Sequence, residues 1–396
     1  MHLSEYLYGV LDLDFWGYLI VTFLMVQLAM MSVTLYLHRD QAHRAVNLHP
    51  GLKHIFRLWI WMTSGMGTRE WVAVHRKHHA FCEREGDPHS PRVFGLKRVL
   101  LEGSELYRIE AARADTLEKY GRGTPTDWLE RNVYERHTYG GIALLVLLDL
   151  ILFGVPGIII IAVQLSTMPI FAAGVINGLG HAWGYRNFET DDASTNLLPW
   201  GLLIGGEELH NNHHAFPTSA KFSARPWEVD IGWAALRVLS ALGLAEIRRV
   251  APKLAWHDQA RPDLETVRAL FITRMHVLRD YSRQVTSPIL KGELRQLGDS
   301  RLINQARRLL CQPPGLLDEA SRRRLAELME SCPRLATVVE FRNELRSLWE
   351  GAHRSNERLL ADLRAWCARA EASGIQVLEE FAERVRGYRL ADAAPA

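Results

Sequence analysis

The stretch "WGYLIVTFLMVQLAMMSVTLYL", residues 16–37, decides how this chain is built. It carries no charged residue and is long enough for one spanning helix, which needs about 20 apolar residues. A secretory leader fits it less well. No basic residue precedes the run, and no small-residue cleavage site follows it. Residues 1–37 lack Lys and Arg, whereas Arg39, Arg44, Lys53, Arg57, Arg76 and Lys77 follow closely. The positive-inside rule therefore expects the N-terminus outside and the following segment in the cytoplasm.

Working outward, the apolar stretch Ile55 to Gly67 is too short to span and reads as an amphipathic or re-entrant segment. The run from Gly141 to Gly178 is long and is interrupted by "FGVPG", residues 153–157, where Pro156 and the flanking glycines suit a tight turn. This predicts a hairpin, with crossings near 16–37, 141–154 and 157–178. Asp149 in its first arm needs a partner or a shallow position. Residues from Arg39 to about Tyr139, and those after about His181, then share the cytoplasmic face. A further interfacial segment, Val229 to Leu244, places Trp233, Leu236 and Leu239 at helical spacing. The expected class is an all-α integral membrane protein with about three transmembrane helices, a cytoplasmic histidine-rich helical cap and a soluble helical C-terminal region. The division falls at 1–250 and 251–396. In the second part "EFRNELRSLWEGAHRSNERLLADLRAWCARA", residues 340–370, reads as the best helix. A net charge of +2 gives no reason to expect a nucleic-acid partner. Cys82, Cys311, Cys332 and Cys367 show no metal-ligand spacing and are expected to be thiols in a reducing compartment.

Histidine is the unusual residue, with 17 copies. "HRDQAH" holds His38 and His43, which on an α-helix would point about 140° apart. His38 is thus expected to end the spanning helix and His43 to return from the loop beyond. "HRKHH" (His75, His78, His79) and "HNNHH" (His210, His213, His214) each put three imidazoles on one helical face. "NGLGH" sets Asn177 four residues before His181. The other eight, His2, His49, His54, His89, His137, His257, His276 and His353, are isolated and read as structural. Nine imidazoles are too many for one ion and divide between two ions of four or five nitrogens each. No Cys or Met stands within the motifs, which argues against a copper thiolate site, so two irons with room for O2 is the natural assignment. A histidine-rich zinc transporter fits less well, because its histidines should line a path within the helices. Glu70, Asp87, Glu207 and Glu208 either orient these imidazoles or serve as caps and solvated groups.

The three motifs match the HxxxxH, HxxHH, HxxHH set of membrane fatty acid desaturases. "REWVAVHRKHH", "DPHSPR", "NGLGH", "GYRNF" and "GEELHNNHHAFP" further resemble the delta-9 acyl desaturase (stearoyl-CoA desaturase-like) branch, over residues 15–245. The likeness extends to bacterial forms with a helical C-terminal extension. It implies two irons held by the nine histidines, with Asn177 holding a metal-bound water. It also implies O2-dependent introduction of a cis double bond, at delta-9, into a saturated fatty acyl chain. Trp71 is then a candidate for the acyl tunnel, or else an interfacial anchor. Relatives that use acyl-CoA resemble one another in a basic–acidic pair just before the first His of HxxHH. Ala73 and Val74 stand there instead, which favours acyl chains on membrane phospholipids over the alternative acyl-CoA. Arg39, Arg44, Arg76, Lys77 and Arg92 could serve lipid phosphate. A hydroxylase of the same di-iron class is the further alternative. No flavin, haem or iron–sulfur pattern is present, so electrons are expected from a ferredoxin- or rubredoxin-type carrier with its NAD(P)H reductase. The expected location is the bacterial inner membrane, with the active site on the cytoplasmic side.

Overall fold

The computed structural model describes residues 7–296, 300–350 and 355–391 and is mostly helical. The chain forms two compact units. One comprises residues 1–186 and 194–251, the other residues 187–193 and 252–396.

In the first unit, α1 (Phe15–Met31) starts at Asp14, whose carboxylate accepts from the Gly17 amide at 2.7 Å. It runs without a break into a π-helix, Ser32–Ala42. The joined rod, Phe15–Ala42, is one of two helices long and apolar enough to cross a membrane; the other is Val155–His181. Between them α2 spans Pro50–Ser64, α3 Thr68–Phe81, α4 Leu96–Ala111 and α5 Thr138–Phe153. The expected hairpin turns at Gly154, whose φ of +60° suits a residue without Cβ, and α6 follows as Val155–Thr167. With 16 residues, α5 is about 24 Å long, shorter than a bilayer core of about 30 Å. Within the hairpin Gln164 Nε2 donates to Asp149 Oδ2 at 2.7 Å, the partner this buried carboxyl required.

The segment expected to be re-entrant is α2. It begins on His49 and Pro50 and stops at Gly65, in the left-handed region at φ +66°. It buries Phe56, Ile60 and Trp61 while Ile55 and Leu58 stay exposed. Gly141 makes its approach to α5 possible, since a Cβ there would collide with the Trp61 carbonyl. Trp61 Nε1 donates to the His137 carbonyl at 3.0 Å. Two short helices complete the frame, α7 (His210–Ala215) and α8 (Ile231–Ala241). Leu236 of α8 is fully buried, with Trp233 and Leu239 packed beside it. An antiparallel pair, Val46–Leu48 with Ala245–Ile247, ties the chain after the first histidines to the end of α8. The outer faces of the long helices remain apolar and exposed, at Phe15, Ile20, Leu24, Leu147, Ile158 and Ile159.

Of the basic side chains that could serve lipid phosphate, three are engaged within the protein. Arg39 is 1% exposed, pairs with Asp230 at 2.9 Å and donates to the carbonyls of Ala220 and Gly205. Arg76 donates to the carbonyls of Gln41, Ala42, Tyr120 and Arg122, and Lys77 pairs with Glu110 at 2.6 Å. Arg44 and Arg92 are exposed.

The second unit has its own core, including Tyr281, Leu335, Leu345, Leu363, Trp366 and Phe381. Leu254–Trp256 pairs antiparallel with Tyr388–Leu390. The single helix expected over 340–370 is two, Pro333–Glu350 and Asn356–Glu371. Ser355 starts the second by accepting from the Arg358 amide at 3.2 Å. The apolar faces of both helices reach one core.

Candidate metal centre

The π-helix corrects the expectation for "HRDQAH". In an α-helix residues five apart diverge, whereas the i→i+5 hydrogen bonds of a π-helix bring them onto one face. The His43 amide donates to the His38 carbonyl at 3.1 Å, and the two rings lie 5.0 Å apart. No return loop is needed. The widened turn itself aims both imidazoles inward. His75, His78 and His79 come from one face of α3, and His210, His213 and His214 from α7. His181 ends a 3₁₀ turn at the foot of the second long helix.

The nine rings form two adjoining groups. His38, His43, His75, His79 and His213 have their ring nitrogens within 4.8 Å of one another; His78, His181 and His214 form a second such group that includes Cys82. His210 joins the second, its Nε2 2.9 Å from His181 Nε2. In the first, His38 and His79 each approach His213 at 3.0 Å, and His43 lies 2.8 Å from His75, all through Nε2. Two nitrogens bound to one ion at about 2.1 Å and roughly 90° lie about 3 Å apart, so these spacings fit shared ions. The outward-facing Nδ1 atoms of His210 and His213 are buried without a hydrogen-bond partner among the described residues.

Burial and the neighbouring imidazoles hold the pKa of His43, His75, His79, His210 and His213 well below the ordinary value, keeping them in the neutral form that binds metal.

Carboxylates sit behind three of the rings. Glu207 Oε1 lies 2.7 Å from His38 Nδ1 and also accepts from Thr34; Asp87 Oδ1 lies 3.0 Å from His78 Nδ1. The third is Glu83, which sequence reasoning missed, 2.8 Å from His181 Nδ1. Burial alone would raise the pKa of Glu83, Asp87 and Glu207, but the facing imidazoles outweigh it and hold each below its usual range. Glu83 sits at φ +64°, a strained value for a side chain with Cβ. Its amide donates to Asp87 Oδ2 at 2.9 Å, so the strain buys a turn that presents both carboxylates. The other two expected carboxylates take the capping alternative. Glu208 accepts from the amides of Leu203, Ile204 and Gly206, and Glu70 meets the Gly67 backbone in the first turn of α3.

Two further residues adjoin the cluster. His89 is 4% exposed, stacks on His78 at 4.5 Å, and groups with His78 and Asp87. Cys82, one turn after His78, has its sulfur among His78, His181 and His214. The i, i+4 spacing from His78 was the available clue.

A cavity of about 340 Å³ leads to this cluster. Met30, Val33, Ile142, Leu165 and Met168 give it apolar walls; His38, His75, His78, His210 and Asn177 face one part of it. Trp71 lines it and stacks on His75 at 4.8 Å and 13°, which places it by the imidazoles rather than among the outer anchors.

Taken together, two long apolar helices, an apolar cavity and two histidine groups define a helical protein whose imidazoles could hold metal at that cavity. Residues 14–237 match the fatty acid desaturase family, and the chain belongs to that family, as an oxidoreductase of lipid metabolism. Delta-9 acyl-lipid desaturase 2 of Arabidopsis thaliana is 30% identical over 235 residues, covering 58% of this chain and 74% of that protein. The sn-1 stearoyl-lipid 9-desaturase of Synechocystis is 32% identical over 234 residues, 58% of this chain and 71% of that protein. An acyl-CoA C20 delta5-desaturase of Anemone leveillei is 31% identical over 217 residues, 54% of this chain and 68% of that protein. Residues 263–391, within the second unit, are similar to a transposase family.

Proposed function

We propose that this chain is a di-iron desaturase that uses O2 to place a cis double bond at delta-9 in saturated acyl chains of membrane phospholipids. The observation that carries it is the convergence of nine imidazoles beside an apolar cavity. The named relatives support the position and the lipid-bound substrate, since two of them are called acyl-lipid or stearoyl-lipid delta-9 enzymes. The acyl-CoA alternative keeps support from the Anemone relative.

His38, His43, His75, His79 and His213 would hold one iron, and His78, His181, His210 and His214 the other, with Asn177 acting through water. Bound iron would supply the redox chemistry with O2 that breaks unactivated C–H bonds, which side-chain acids and bases cannot do. Glu207, Asp87 and Glu83 fix the Nδ1 face of their imidazoles, leaving Nε2 to the metal. Trp71 packs the acyl chain against His75, and the apolar walls exclude water. The exposed apolar belt faces lipid, with three crossings that leave the histidine end at the cytoplasmic side of a bacterial inner membrane. A ferredoxin- or rubredoxin-type carrier and its reductase deliver the electrons.

Expression in a host without desaturation, followed by short labelling and separation of phospholipid from acyl-CoA, tests the substrate. The expected result is double bonds appearing first in phospholipid. Appearance first in the acyl-CoA pool contradicts it.

A further inference from the structure

Cys82 stands where the family assignment leaves no role for it. Its sulfur lies 3.7 Å from His78 Nε2 and 4.0 Å from His214 Nδ1. Asp87 meets the Nδ1 side of His78, and the nitrogen nearest the sulfur is Nε2, on the opposite edge of the ring. A thiolate at about 2.3 Å and an imidazole at about 2.1 Å, bound tetrahedrally to one ion, lie about 3.5 Å apart. The observed spacings match that to within about half an ångström, with no rearrangement of α3. The 4.0 Å contact to His181 Nδ1 does not count towards the set, because Glu83 holds that nitrogen. A second observation points to the same place. His89, 4% exposed with neither ring nitrogen hydrogen-bonded among the described residues, packs on His78, the imidazole nearest the sulfur.

We propose that the Cys82 sulfur is a ligand of the second metal position, which thereby takes nitrogen and sulfur while the first takes nitrogen alone. On metal binding the S–H proton leaves to solvent and an S–metal bond forms; no electron is transferred. The two positions become inequivalent, the second offering a softer set of ligand atoms than the first. The proposal rests on the metal-centre assignment above.

The test is the full-length protein loaded with cobalt(II), read by metal analysis and near-ultraviolet absorption. Two cobalt ions per chain with a sulfur-to-cobalt charge-transfer band, absent in Cys82→Ser at equal cobalt content, is the expected result. Two ions without that band, or a band that persists in the variant, overturns the proposal and leaves the metal centre standing. A wild-type chain that binds no cobalt overturns both. Should Cys82→Ser fail to fold, alkylation of the wild type decides. Cys82 must react in the metal-free protein and be protected by cobalt, with Cys311, Cys332 and Cys367 as internal controls; equal reaction in both states overturns the proposal.

Discussion

His213 shows how much rests on single side chains, since its Nε2 meets both His38 and His79 at 3.0 Å. Its replacement by Ala is expected to empty the five-histidine position and abolish desaturation in cells; unchanged unsaturation would contradict the ligand assignment. The carboxylates behind the rings act more gently. Glu83→Gln should weaken iron retention about 10–100-fold in chelator competition, whereas Glu208→Gln, which touches only backbone amides, should leave it unchanged. An equal effect of both changes would contradict the distinction. The buried imidazoles also set a pH dependence. Their folded pKa values lie well below 6.5, so the unfolded chain binds more protons as pH falls through 6.5. Metal-free protein should therefore be most stable above that value and lose stability progressively below it, measured as a falling Tm. A Tm that is flat between neutral and mildly acidic pH would show that these rings are charged or exposed. The nine histidines were legible as residue types at fixed spacings, and the structure gathers their rings into two adjoining groups. Glu83 was not, because its contact with His181 depends on the turn after α3, and Cys82 left only its i, i+4 spacing from His78 as a sign.

At the scale of elements, the first long helix carries the most information and the largest surprise. Its apolar length was plain from residues 16–37, but ordinary helical geometry misplaced His43 by assuming 100° per residue. The π-helical turn over Ser32–Ala42 removes the discrepancy, and nothing in local composition announces it. Arg39 follows His38 on that turn and anchors it to Asp230, both fully buried at their side chains. Arg39→Met should leave that carboxylate, which also accepts from the amides of Phe222 and Trp233, uncompensated. The expected cost is about 3–5 kcal/mol, read as a large fall in thermal stability in detergent. A change near zero would mean that Asp230 finds another partner. Sequence polarity placed Arg39 at lipid phosphate because a basic residue after an apolar run is usually interfacial; its burial came from partners some 190 residues away.

For the whole molecule, the change near residue 251 from apolar runs to charged amphipathic segments was visible in the sequence. The inclusion of residues 187–193 in the second unit was not, since no local pattern marks that loop as foreign to its neighbours. All nine histidines and the cavity belong to the first unit. A chain ending at Ala251 should therefore keep its iron within about twofold of the full-length protein by elemental analysis; loss of the metal would show that the second unit supports the centre. The central claim concerns the reaction itself, and product analysis tests it most directly. Iron-loaded full-length protein, reconstituted with stearoyl phospholipid, reductant, carrier and O2, should yield a cis-9 alkene in the acyl chain, with none formed when O2 is withheld. A hydroxylated chain, or an unchanged saturated one despite two bound irons, would contradict the account.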